Sequence, residues 1–188
     1  MKESLFYRII RPFIRAFTYV FIHPKYIGLS NIPKEGRIIL AGNHISILDP
    51  LVLISSTRRN IHFLAKNELW KGFKRIIFSH LGLIPVDRNK KDTFALKEAE
   101  KYLNSDMVIG IFPEGTTEKG RGIMPFKIGA VKMAYDTKSP IIPFAIIGKY
   151  GLFKRIKVVF FKPISVCSNL NKENDRLRQI IINAIKEG

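Results

Sequence analysis

The chain of 188 residues predicts a single α/β domain, and three observations carry that reading. Its length suffices for one real hydrophobic core and falls short of two domains. Six short apolar or β-branched runs recur along it: 37–41 (RIILA), 61–65 (IHFLA), 83–87 (LIPVD), 107–112 (MVIGIF), 140–147 (PIIPFAII) and 156–161 (IKVVFF). Helical patterns stand between them, after Asp49, Asn67, Asp92 and Pro125. Polar clusters also follow several runs: Gly42-Asn43-His44, Asp87-Arg88-Asn89 and the stretch 113–122 (PEGTTEKGRG). In open α/β sheets, ligands bind beyond the carboxyl ends of strands, so these clusters mark the expected functional edge.

Taken in order, residues 1–24 come first as an amphipathic segment. Arg8, Arg11 and Arg15 interrupt an apolar run and no small-residue cleavage site follows, which excludes an export signal, and the same arginines exclude a spanning helix. At 100° per residue the three arginines share one face, while Phe6, Ile9, Ile10, Phe13, Phe17, Val20 and Phe21 cover much of the remainder. Such a basic amphipathic helix either packs on its own domain or lies in a headgroup layer, and its aromatic content favours the membrane surface. Pro12 is expected to kink it or to mark where its regular part begins. Asp49 before Pro50 reads as an N-cap followed by proline at the first helical position. Asp92 is the expected N-cap of a helix over 92–104, Trp70 sits in a helical pattern after Asn67, and a polar-led helix over 169–188 closes the chain. Helices of this number cover a sheet on both faces.

The formal net charge of +17 requires an anionic partner, whether nucleic acid, lipid headgroups or a phosphorylated substrate. A nucleic-acid reader calls for aromatics interleaved with basic residues on an exposed sheet, whereas most aromatics here lie in apolar segments, so no nucleic-acid partner is expected. Cys167 is the only cysteine, which suits a reducing compartment and a packing role. His23, His62 and His80 stand singly in apolar surroundings and read as structural, and no metal site is expected.

His44 and Asp49 carry the chemistry. A histidine in a polar strand-end loop beside Gly42 and Asn43 is neither a core filler nor a requirement of the turn. A general base needs an imidazole held in one tautomer by a carboxylate on its other ring nitrogen, and a short loop can fold Asp49 back to supply it. The chain has no Gly-x-Ser-x-Gly nucleophile, so the base must activate a hydroxyl or a water brought with the substrate. Capping alone also accounts for Asp49, and both uses stand open at this point.

The stretch Asn43–Asp49 (NHISILD) resembles the His-x4-Asp motif of the glycerolipid acyltransferases, and three further blocks of that family follow in order. Residues 82–88 (GLIPVDR), ending at Arg88, resemble the second block; Phe112 to Gly120 (FPEGTTEKG) resembles the third; 141–146 (IIPFAI), around Pro143, resembles the fourth. Residues 63–69 (FLAKNEL), with Lys66, and Lys127 to Ala130 are also similar to family sequence, so the resemblance spans roughly residues 25 to 150. It implies a mixed β-sheet flanked by helices over residues 25–188, and transfer of a fatty acyl group from a thioester to the free hydroxyl of lysophosphatidic acid, giving phosphatidic acid. It further implies His44 as base, Asp49 as its orienting carboxylate, and Arg88, Glu114, Gly115, Thr116 and Pro143 at the substrate. Lys119 and Arg121 flank Gly120 in a loop that either touches phosphate or is a solvated charge run, and both readings stand open. Where the family's third block usually carries Glu-Gly-Thr-Arg, this chain has Thr117 in place of the arginine. No resident cofactor is expected; acyl carrier protein or coenzyme A carries the acyl co-substrate, and the expected place is the cytoplasmic face of the cell membrane, peripheral or monotopic, on an anionic surface. A different lysolipid acceptor, a His–Asp lipid hydrolase and a non-enzymatic binder of anionic surfaces are the alternatives.

Overall fold

A computed structural model describes residues 5–67, 79–86, 93–116, 122–151 and 154–188, without the side chains of Lys66 and Thr93. Arg88, Thr117, Lys119 and Arg121 lie outside the described residues, as do Trp70 and the expected cap Asp92. All six expected runs form strands: β2 (Ile38–Gly42), β3 (Ile61–Lys66), β4 (Ile84–Val86), β5 (Val108–Ile111), β6 (Ile141–Gly148) and β7 (Ile156–Phe160). A three-residue strand, β1 (Lys25–Ile27), precedes them. Its hydrogen bonds come from β7, 132 positions away at Lys25 and Lys157, so no local pattern announces it. Across the sheet the order is β1-β7-β6-β2-β5-β3-β4, and every neighbouring pair is parallel except β6 with β7.

Strand alternation feeds two cores. Along β2, Ile38 and Leu40 face one side while Ile39 and Ala41 face the other, and all four are buried. The first side is covered by α1 (Leu5–Phe21) and α2 (Asp49–Ser56), the second by α3 (Thr93–Asn104), α4 (Gly129–Thr137) and α5 (Leu170–Lys186). The sheet is therefore mixed and flanked on both faces. Helix α5 starts as its polar lead predicts, with the Asn169 side chain accepting from the Lys172 amide at 3.1 Å.

Several local expectations are corrected. Of the two expectations for Pro12, the start of the helix is excluded, because Pro12 lies inside α1. Arg8, Arg11 and Arg15 share a helix face, but Arg11 is not free for a partner: it donates to the Thr57 carbonyl at 2.9 Å, pinning α1 to the end of α2, while Arg15 lies over the Tyr19 ring. Leu48, not Asp49, is the N-cap of α2, and Asp49 is its first helical residue, because its carboxylate turns back to the preceding loop. Cys167 is exposed and does not pack in the core. In keeping with their structural reading, His62 is buried with a ring nitrogen 2.8 Å from the Gly82 carbonyl, and the His80 ring lies against Phe6 with centroids 5.4 Å apart and planes tilted by 59°. Among the described residues, no helix is long and apolar enough to cross a membrane.

Candidate active site

The carboxyl ends of three adjacent parallel strands, β5, β2 and β6, converge on the loop 43–48. Two features fix where that loop begins. A Cβ at Gly42 would lie 2.3 Å from the Phe144 carbonyl oxygen, so only glycine lets β2 run this close to β6. The next residue, Asn43, is buried and pairs like a further strand residue: its amide donates to the Ile146 carbonyl at 2.8 Å and its oxygen accepts from the Ile146 amide at 2.7 Å.

His44 follows at once. Its Nδ1 lies 2.7 Å from Asp49 Oδ2, and Asp49 is fully buried. The same Oδ2 accepts from the amides of Ile45 at 2.7 Å and Ser46 at 2.9 Å, which wraps the loop around the carboxylate. The hydroxyl of Tyr150 donates to the other oxygen, Oδ1, at 2.6 Å. The donors that surround this buried carboxylate suit its ionised form. With an ionised carboxylate accepting at Nδ1, that nitrogen carries the proton and Nε2 is left as the basic atom. Phe112 stacks on the imidazole, with centroids 4.0 Å apart and planes 15° from parallel, and so restricts the ring about its remaining freedom.

Glu114, on the loop after β5, reaches the same structure from the other side. One carboxylate oxygen accepts from the His44 amide at 2.8 Å and the other from the Met124 amide at 2.9 Å. Both oxygens are thus engaged by backbone, a use the sequence does not suggest. Gly115 follows in a turn, its φ of +70° and its amide bond to the Phe112 carbonyl defining it, and a Cβ there would meet the Lys127 side chain at 3.3 Å. Thr116 continues that turn, partly exposed. Pro143 stands apart: it is buried in β6 opposite Ala41, and its carbonyl accepts from the Phe161 amide at 2.9 Å. Tyr150 and the Phe112 stack are the site features that sequence reading passes over. Phe112 opens the third block, but Tyr150 lies 101 positions from Asp49 with no local signal.

Beside the loop lies a cavity of about 150 Å³, lined by Phe17, Phe21 and Ile22 at the end of α1, by Leu48, and by Tyr150 and Ile156 among the residues leading into β7. Burial pushes the Tyr150 hydroxyl well above its ordinary range, and the Asp49 charge adds to that. Burial does the same to Tyr26, whose hydroxyl donates to the Val52 carbonyl at 2.8 Å. Among the described residues, no group of three or more His, Cys, Asp or Glu side chains is placed to hold a metal ion.

Comparison with known proteins places this geometry. A family profile described as Acyltransferase matches residues 23–147. The chain is 33% identical over 154 residues to a 1-acyl-sn-glycerol-3-phosphate acyltransferase of Borreliella burgdorferi, covering 80% of this chain and 61% of the relative. It is 31% identical over 149 residues to a Bacillus subtilis protein of the same description, covering 74% and 73%. The chain spans about three fifths of the length of the first curated relatives it matches. The crystal structure of the 1-acyl-sn-glycerophosphate (LPA) acyltransferase of Thermotoga maritima superposes with a TM-score of 0.81 at 25% identity, covering 96% of this chain and 78% of that one. With the profile running from β1 through β6 and the same fold in a solved relative, the chain belongs to the acyltransferase family.

Proposed function

We propose that this chain transfers a fatty acyl group from a thioester to the free hydroxyl of 1-acyl-glycerol-3-phosphate, giving phosphatidic acid. One observation carries the reading: the 2.7 Å pair of His44 Nδ1 and Asp49 Oδ2 at the convergent strand ends of a fold that serves this chemistry in its named relatives. In the reaction, the acceptor oxygen attacks the thioester carbonyl carbon while its proton passes to His44 Nε2. The buried negative charge of Asp49 stabilises the imidazolium formed at that moment. Collapse of the tetrahedral intermediate breaks the carbon–sulfur bond, and the departing sulfur takes the proton back. No acyl-enzyme forms, and the donor, acyl carrier protein or coenzyme A thioester, is a co-substrate.

In this reading, cationic side chains hold the acceptor phosphate. Arg88, Lys119 and Arg121 are the candidates from sequence, and Lys127, whose side chain packs over Gly115, adds a described one. Thr117 offers a neutral hydroxyl where relatives of this pattern carry a guanidinium, which places more of the phosphate's charge on those side chains.

The membrane supplies the acceptor, and α1 is suited to meet it. Tyr7, Thr18 and Ile22 pack on the domain. On the opposite side Leu5, Ile9, Phe13 and Val20, each more than half exposed, form an apolar row at helical spacing. Single exposed apolar residues are ordinary; a continuous row of them opposite a packed face fits an interfacial helix. Together with the +17 charge, this points to peripheral docking on an anionic surface on the cytoplasmic side.

Product analysis with an acyl thioester and lysophosphatidic acid tests the reading. Phosphatidic acid formed with matching donor consumption is the expected result; free fatty acid indicates a hydrolase, a preference for headgroup-bearing lysolipids indicates another acceptor, and no product at all leaves only binding. Replacing Ile9, Phe13 and Val20 with Gln should release the protein from phosphatidylglycerol vesicles in cosedimentation, since none of the three packs in the core. Retention equal to the parent would place the docking surface elsewhere.

A further inference from the structure

Tyr150 lies in none of the four sequence blocks, yet its hydroxyl is the closest contact Asp49 makes, at 2.6 Å. Three donors converge on Asp49 Oδ2, whereas Oδ1 accepts from Tyr150. The two oxygens of one carboxylate are thus divided: one serves the imidazole and its loop, the other serves a residue from the far end of the chain. We propose that Tyr150 is a positioning residue for the acyl-transfer dyad, its hydroxyl fixing the rotation of the Asp49 carboxylate and moderating the charge that His44 feels. This inference rests on the acyl-transfer reading above.

The direction of the bond is settled by chemistry. An ionised carboxylate only accepts, so the phenol donates. Burial and the Asp49 charge keep the phenol protonated across any working pH, so Tyr150 remains a donor whatever the state of His44. The ring is also well placed to hold its position. It forms a wall of the apolar cavity beside Leu48, against Phe17 and Phe21 of α1. Its segment leaves β6 through Gly148, at a φ of +106°, where a Cβ would lie 2.6 Å from the Arg155 carbonyl oxygen; the path that delivers Tyr150 to Asp49 is therefore closed to larger residues.

Removing the hydroxyl has a signed consequence. A donor on Oδ1 spreads the carboxylate's charge; without it, Asp49 is the more basic partner and holds the imidazolium more tightly. The base then gives up its proton only at higher pH, and the acid limb of the pH–rate profile moves upward. The other ionisable groups around the pair are Tyr26, which faces Tyr150 from β1, Lys154 across the cavity, and Glu114 on the His44 amide. The first stays neutral because burial raises it, and the other two are unchanged by the substitution, so none supplies the same shift.

Tyr150→Phe in the full chain is the test, with kcat, KM for both substrates and the pH profile measured on vesicle-borne lysophosphatidic acid. Expected are a fall in kcat of about tenfold, KM values within about twofold, and an acid limb displaced to higher pH. A 15N NMR titration of the His44 ring in the substrate-free protein should show its midpoint moving the same way. Site-specific 3-fluorotyrosine at position 150, a stronger donor, should move both in the opposite direction, and this protein decides the matter if Tyr150→Phe fails to melt cooperatively. A uniform loss of rate at all pH values, or an unmoved His44 titration in both proteins, would overturn the proposal. If the parent forms no phosphatidic acid, the acyl-transfer reading falls, while the NMR arm still tests the link between Tyr150 and His44.

Discussion

Asp49 and Glu114 are both acidic residues of motif blocks, both stand at carboxyl ends of neighbouring strands, and both accept hydrogen bonds from the backbone of the same loop. They differ in what remains after those bonds are made. Asp49 is fully buried and uses one oxygen on the imidazole as well as on two amides, and the other on Tyr150. Glu114 is partly exposed and divides its oxygens between the His44 amide and the Met124 amide. The first carboxylate therefore holds the imidazole, and the second ties loop 43–48 to the segment before α4. A motif acid can accept from the backbone amide of His44 and leave the imidazole to another carboxylate.

The comparison breaks most completely when the ring that distinguishes the two acids is removed. His44→Ala should lower acyl transfer by about 10²- to 10⁴-fold with the fold intact, because the ring is the proposed base and its removal leaves both carboxylates' backbone bonds in place. Circular dichroism alongside turnover checks this. Near-parent turnover in a folded variant would remove His44 from the mechanism.

Asp49→Asn is next. With its oxygen toward the three donors and its amide toward Tyr150, which can then accept, an asparagine reproduces the geometry while discarding the charge. A charge-assisted bond contributes about 1.5–3 kcal/mol, so kcat should fall roughly ten- to 100-fold with little change in melting temperature. Glu114→Gln should show the reverse balance. One of its two backbone N–H donors would then face an NH₂ group, which costs about 1–3 kcal/mol of stability by urea denaturation and lowers kcat less than Asp49→Asn does. A selective rise in acceptor KM without loss of stability would instead place Glu114 on the substrate.

What was legible in the sequence follows the range of the interactions. His44 and Asp49 can be paired on paper because they are five positions apart in one loop. The six strands declare themselves by β-branched runs, and the two-sided burial of β2 by its unbroken apolar character. The position of Glu114 in a motif is equally legible, but its partners are 70 and 10 residues away, so its role as a brace is not. Tyr150 and β1 depend wholly on contacts across more than 100 residues. Asp49 before Pro50 misleads for a different reason: the helix cap and the nearby histidine loop compete for one carboxylate, and the loop with its imidazole wins.

The smallest expected effect separates acid loss of activity at the dyad from acid loss of the fold. His62 on β3 is buried, stacks on Tyr102 at 4.1 Å and donates from Nδ1 to the Gly82 carbonyl at 2.8 Å, while its buried Nε2 has no hydrogen-bond partner among the described residues. Burial lowers its pKa below the ordinary 6.5, with the Gly82 bond offsetting part of the shift. The folded protein thus binds this proton less readily than the unfolded chain. Stability from this group is complete above about pH 6.5 and declines as the pH falls below it. His62→Gln, which keeps a donor for Gly82 and has no titration, should flatten the difference in melting temperature between acid and neutral pH. It should leave the acid limb of kcat/KM where it was, because His62 has no part in the proposed mechanism. If the limb moved with His62→Gln, acid inactivation would be an unfolding of the sheet, and a pH profile would no longer tell the carboxylate that serves the ring from the one that serves the loop.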